Sequence, residues 1–383
     1  MIKKIIKYFS YFLILIFIGI LYLSYFGIET KRFNQLIKNE VLKVNKKINI
    51  ELKDVKILLN LSNFSIALKT YEPNLVFDNK AIKLKYIKTN FSIGSFLNKE
   101  FAIKNVSIST KKNNLKDILN ILRIYQNTPQ LYILEKKIKN GTLIANINLN
   151  FNKKGVLSKN YKIRGLIENG KLYLNNKQTI NNINFNFEIR DKLYLINDAK
   201  LELSELKLSS NSIKIKKRNK LFLIEGDFKN LESLVNPEIF SIYFKNLSIS
   251  DLNFASENNF SFKLSNELKF LDLDIKSKID LKKLNYKLKS LKLKKYLPNY
   301  NDSFELNDHK IQLHFSNNQL TFKGKGKFLI DKGFDEIDYN IKFKDGDYDF
   351  ITNIQFKNNP IVIEFLNYEK KEDKNSFLNF IGQ

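Results

Sequence analysis

Polar and apolar residues alternate one by one through most of this 383-residue chain, as in TLIANINLNF at 142–151 and LDLDIKSKIDL at 271–281. A β-strand sends successive side chains to opposite sides, so a chain written this way folds into strands that are greasy on one side only. Side by side they make a one-faced sheet. With roughly 20 to 25 strands about 4.8 Å apart, and about three to four inward residues per strand about 6.8 Å apart, that face measures on the order of 2,000–3,000 Å². Soluble monomers rarely leave more than a few hundred Å² of contiguous apolar surface bare. The face is expected either to fold onto itself, as a sandwich, barrel or solenoid, or to curl into a trough that holds apolar ligand. The amphipathic helical stretches are short and few, and leave too little protein to roof it.

A hydrophobic content of 43% and an aromatic content of 13% place the chain among ordered proteins. The absence of cysteine excludes disulfides, thiolate metal sites and thiol nucleophiles. The net charge of +26 raises the question of nucleic acid. Its lysines, however, are spread through the alternation as polar partners (Lys83, Lys85, Lys88; Lys282, Lys287, Lys289, Lys292, Lys294), and the cues of nucleic-acid-binding modules are missing. No nucleic-acid partner is expected. Anionic phospholipid headgroups, at about 1 kcal/mol per basic residue close to the surface, are the better match.

Residues 8–28, YFSYFLILIFIGILYLSYFGI, carry no charge and have the length that spans a hydrocarbon core. Tyr8, Tyr11, Tyr22 and Tyr25 suit the two interfacial belts. Lys3, Lys4 and Lys7 would also open a signal peptide, but bulky Tyr25 and Phe26 stand where small residues guide cleavage. A retained single-pass anchor is expected. Lys31, Arg32 and Lys38 balance the lysines before the span, so charge does not choose the orientation.

Three regions follow: an anchor at 1–28, a mixed β/α part at 29–140 and a continuous β part at 141–383. Phe33, Leu36, Ile37, Val41 and Val44 recur at helical spacing behind Thr30, and Leu115, Ile118, Leu119, Leu122 and Tyr125 do so at 114–126 before Pro129. LYILEKKI is helical or irregular. A register slip is expected at Lys104-Asn105. Asn169-Gly170 and Asp345-Gly346 read as two-residue hairpin turns, and Asn236-Pro237 breaks the chain after the helix-compatible FKNLESLV.

Catalytic groupings are missing. His309 and His314 lie five apart in a β-like stretch, so they point to opposite faces and cannot share a metal. Asp345, Asp347 and Asp349 begin like a calcium loop, but Phe350 and Phe356 occupy the positions that need Gly and Glu. Neither an enzyme nor a cofactor is expected.

One anchor, a short helix beside it, the segment Ser95-Phe96-Leu97 followed by Phe101-Ala102-Ile103-Lys104-Asn105-Val106-Ser107-Ile108, and then long alternating β resemble the AsmA-like superfamily of Gram-negative envelope proteins. The resemblance implies a mostly β fold: an N-terminal transmembrane helix, then an elongated, curved, taco-like antiparallel β-groove with a few short helices. It also implies an inner-membrane anchor, a body in the periplasm, and a role in phospholipid movement or outer-membrane homeostasis. The expected partners are phospholipid acyl chains, the inner membrane through residues 8–28, and envelope proteins. The groove lining is expected at Leu143, Ala145, Ile147, Leu149, Phe151, Ile183, Phe185, Phe187, Leu271, Leu273, Ile275, Ile279 and Leu281. The rival expectation is an anchored scaffold or assembly factor for outer-membrane proteins, with protein partners and a dry, closed interior.

Overall fold

The computed structural model describes residues 2–44, 48–61, 65–77, 80–98, 103–125, 127–174, 178–204, 206–235, 248–287, 291–330 and 333–383. The fold is mostly β, with twenty-one strands in one antiparallel sheet and a separate two-stranded hairpin among the described residues. The chain divides into two compact units, Met1–Leu174 with Ile183–Tyr194, and Asn175–Asn182 with Leu195–Gln383. The division expected at residues 140/141 falls inside a strand.

In the first unit, helix α1 (Ile2–Tyr25) is about 36 Å long at 1.5 Å per residue, and it is long and apolar enough to cross a membrane. Its apolar side chains are exposed nearly all round, which in water would be prohibitive and in lipid is ordinary. Strand β1 (Ile28–Thr30) follows, then α2 (Asn34–Val44), the first of the two helices expected from spacing. Asn34 ties the start of α2 to the sheet by donating to the Lys53 carbonyl at 2.8 Å.

The unit continues with β2 (Ile48–Glu51), β3 (Val55–Asn60), β4 (Ser65–Tyr71), β5 (Asn74–Phe77), β6 (Lys80–Ser92), α3 (Ile93–Leu97), β7 (Ile103–Thr110) and β8 (Asn113–Asn114). Helices α4 (Leu115–Tyr125) and α5 (Pro129–Lys137) come next, then β9 (Ile138–Asn150), β10 (Lys162–Tyr173) and, from Ile183 on, β11 (Thr179–Arg190). Pro129 ends the α4 pattern and opens α5, where its missing N–H costs nothing and Thr128 caps the helix. The slip near Lys104-Asn105 is present as a register shift between β6 and β7. Phe101 and Ala102 lie outside the described residues, as does the Asn236-Pro237 break.

Asn169-Gly170 does not turn a hairpin. Both residues lie within β10 at a shift in its pairing with β9, with Asn169 at φ 53°. The left-handed residue is used for a bulge, and its N–H is satisfied at 3.0 Å by the Asn184 side chain. Asp345-Gly346 does turn a two-residue hairpin, with both φ values positive.

Across the polar side of β10 and β11, Glu188 gathers Lys162, Arg164 and Arg190, with Arg164 Nε at 2.7 Å. Partial burial pushes this carboxyl up, but the hydrogen bonds from Arg164, Arg190 and Lys162 outweigh it and hold the group at about 2. The folded value lies below the roughly 4.3 of an unfolded glutamate. The stabilisation is therefore complete above about pH 4.3 and fades as pH falls toward 2. Thermal midpoints should show Glu188→Gln below wild type at pH 6, with the gap closing steadily between pH 4.3 and pH 2.5. A gap that stays constant over that range would show that the charge on Glu188 does not stabilise the unit.

Strand β12 (Leu193–Leu203) leads into the second unit, which holds β13 (Leu206–Arg218), β14 (Leu221–Leu234), β15 (Ile249–Ser265), β16 (Phe270–Lys287), helix α6 (Leu291–Tyr296), β17 (Ser303–Ser316), β18 (Gln319–Leu329), β19 (Phe334–Lys344), β20 (Asp347–Phe356), the β21–β22 hairpin (Ile361–Ile363, Tyr368–Lys370) and β23 (Ser376–Gly382). From β13 to β20 each strand pairs antiparallel with the next, and β20 then pairs with β23. FKNLESLV is strand, not helix, because its first seven residues complete β14 and pair with β15 across a bulge. Pairing to a neighbour overrides a weak local helical preference.

Candidate functional site

The register of the second unit sorts its side chains into two faces. One row across β14–β20 reads Phe228, Asn258, Ser277, Leu313, Phe322, Ile341, Phe350, and the next reads Gly226, Phe260, Ile275, Phe315, Leu320, Phe343, Tyr348. Residues between them point the other way, in the row Asp227, Asn259, Lys276, His314, Thr321, Lys342, Asp349, as do those of the flanking row Lys229, Glu257, Lys278, Gln312, Lys323, Asn340. The sheet is apolar on one side and charged on the other.

The apolar face has a closed end and an open one. At the closed end Leu293 of α6, Leu297, Tyr300, and Ile361 and Ile363 of β21 pack over Phe304, Leu306, Phe328, Ile337, Ile354, Phe356 and Leu378. The expectation of too little protein to roof the face did not foresee this local cover. The loop before β21 is locked from below by Asp335, which accepts the backbone N–H groups of Lys357, Asn358 and Asn359 at 2.7, 2.8 and 3.2 Å. Lys370 of β22 donates to the carbonyls of Lys357, Asn359 and Lys371 at 3.0, 2.8 and 3.1 Å. Both charged side chains are buried, and each is fully engaged by backbone.

A ring pair marks the border of the closed end. His309 has no exposed surface and lies over Gly326, while Tyr339 lies over Gly324, in both cases where a Cβ would stand. His309 Nε2 donates to the Lys327 carbonyl at 2.9 Å, which leaves Nδ1 to accept from the Tyr339 hydroxyl at 3.3 Å. Burial lowers the pKa of His309 and raises that of Tyr339 to about 12, so both stay neutral. His314 points to the polar face and bonds Asp274 at 3.1 Å. The two histidines sit on opposite faces, as their spacing predicts. Among the described residues no cluster of His, Cys, Asp or Glu could hold a metal.

Beyond that border the face is open. Phe315, Phe322, Ile341, Phe343 and Phe350 are only half-buried, and within this unit they lie outside the packed closed end. Aromatic contacts run sideways, Phe228 to Phe260 at 5.1 Å, Phe260 to Phe262 at 6.0 Å and Phe262 to Phe270 at 5.1 Å. Six strand spacings of about 4.8 Å and two to three rows about 6.8 Å apart give roughly 500 Å². That is at the upper end of what a monomer leaves bare, where such a patch commonly binds something.

The residues expected to line a groove fall as follows. In the first unit Leu143, Ala145, Ile147 and Leu149 share one face of β9, opposite Ile167, Gly165 and Ile163 of β10, and Phe151 follows just past the strand end. Ile183, Phe185 and Phe187 are half-buried on β11, with Phe187 filling the space beside Gly165 and Ile183 that beside Gly170. In the second unit Leu273, Ile275, Ile279 and Leu281 lie on the apolar face of β16. Leu271 does not. Asp272, at φ 51°, inserts an extra residue, so Leu271 pairs with Lys263 and points to the polar face. Sequence reasoning passed over Phe260, Phe315, Phe322, Phe343 and Phe350, although NNFSFKL and QLTFKGKGKF carry the same period.

A cavity of about 790 Å³ lies on the polar side of this unit. Two charged rows line it, Lys229–Glu257–Lys278–Gln312–Lys323–Asn340 and Ala255–Asp280–Lys310–Lys325–Asp338. Lysines and carboxylates nearly balance there, and Lys310 is ion-paired with Asp280 at 2.5 Å. What the described residues of this unit offer is therefore an open greasy plate backed by a polar trough. Comparisons with family models, curated proteins and solved structures gave no match.

Proposed function

We propose that this chain is a membrane-anchored lipid-handling protein that holds phospholipid acyl chains against the open apolar face and works without covalent catalysis. The observation that carries this is the set of half-buried aromatic and aliphatic residues in the rows through Leu313 and Phe315, which stand side by side across the strands and outside the packed closed end of their unit. Each methylene taken out of water against them contributes roughly 0.8 kcal/mol. Headgroups stay in water beside the lysines of the sheet margins. Helix α1 supports a membrane anchor; on the resemblance to AsmA-like proteins, we read that membrane as the inner membrane and the body as periplasmic, serving phospholipid transport or outer-membrane homeostasis.

A photoreactive residue at Ile275 or Phe322 is expected to yield phospholipid adducts in native membranes, while one at Lys276 or Lys323, a single position away on the other face, yields none. Equal labelling on both faces, or none on the apolar one, would defeat the proposal.

A further inference from the structure

Strand β23, SFLNFIG, breaks the two-faced pattern of its own unit. Phe377 and Ile381 stand on the polar side, 73% and 74% exposed, where the other strands of the unit place mostly lysine, aspartate or asparagine. Ile351 of β20, opposite Ile381, is exposed beside them. The strand carries no charge and no proline, which are the usual guards of an unpaired edge. It pairs with β20 on one side, and on the other it has no partner among the described residues.

We propose that β23 is a self-association edge, pairing antiparallel with β23 of a second copy about a two-fold axis through Asn379. The strand is complementary to itself in that register. On one face Leu378 meets Phe380 of the second copy, and on the other Phe377 meets Ile381, with Asn379 opposite Asn379 at the axis and Ser376 opposite Gly382 at the ends. Every large apolar residue of the strand gains an apolar cross-strand partner, and no charge meets a like charge, although each copy carries +26 overall. The two-fold also brings the exposed Ile351, Phe377 and Ile381 of the two copies side by side into one continuous patch. Seven residues of edge are few beside a standard interface of about 800 Å² per partner. The association is accordingly weak in dilute solution, and confinement of both copies to a membrane by α1 raises their effective concentration.

The chain has no cysteine, so one introduced thiol reports self-contact alone. Residues paired at a two-fold lie about 4.5–5.5 Å apart at Cα, within disulfide reach. Full-length Asn379→Cys in lipid nanodiscs or native membranes, under mild oxidation, is expected to give a disulfide-linked dimer. Asn353→Cys, one strand inward on the same face, should stay monomeric. Adding Phe377→Lys to Asn379→Cys should cut the dimer yield at least tenfold, with the circular dichroism spectrum unchanged. A monomer at Asn379→Cys, equal crosslinking at both positions, a dimer that survives Phe377→Lys, or an adduct to a different protein would each overturn the proposal.

Discussion

Replacing Asp335 by alanine is expected to cost the second unit about 3–5 kcal/mol, read as a fall in the urea midpoint of its unfolding. The carboxylate is buried and accepts three backbone N–H groups, and the Asn359 side chain adds a fourth donor at 2.7 Å. Alanine removes every acceptor at once and leaves those donors without water. The damage spreads because the loop they hold positions Ile361, which seals Phe328 and Phe356. Lys370, whose ammonium is held by three carbonyls, loses two of them, those of Lys357 and Asn359, if the same loop loosens. Asp338→Ala, three residues along β19 and exposed, should stay within about 0.5 kcal/mol of wild type. If the two variants unfold together, the closed end is not held by this carboxylate.

The strands were legible from the sequence because the period of two needs no knowledge of partners. Leu143 to Leu149, and Ile275 to Leu281, share faces as that period requires. The errors fall where an Asn or Asp adopts a left-handed conformation inside a strand. Asn169 and Asp272 each insert one residue, and that reversed the face of Leu271 and turned an expected hairpin into a bulge. The chain is rich in both residue types, so a bulge, a turn and a solvated position look alike in sequence. The closed end was invisible for a different reason. Leu293, Tyr300 and Ile361 meet Phe328 only through tertiary packing, and nothing local in their segments announces it. A sheet face can be inferred strand by strand, whereas its cover depends on contacts between residues dozens of positions apart.

Introducing lysine at Phe322 is expected to lower the phospholipid carried by the purified protein about a hundredfold. An ammonium standing on the open face must keep water around it, and an acyl chain crossing there has to lift about four methylenes away. At roughly 0.8 kcal/mol each, that forfeits about 3 kcal/mol. Phe322 is half-buried and lies outside the sealed core, so the fold should survive, which a thermal midpoint will check. Ile275→Lys, two strands away and one row over, should act in the same direction. Their combination is the sharper test. If one acyl chain runs across both positions, the first lysine already displaces it and the second adds little, whereas separate chains would make the two losses add. Lipid phosphorus per mole of protein measures all three variants, with Lys323→Ala on the polar face as the control that keeps its lipid. Full occupancy in the double variant would mean that the acyl chains, if bound at all, do not lie on this face.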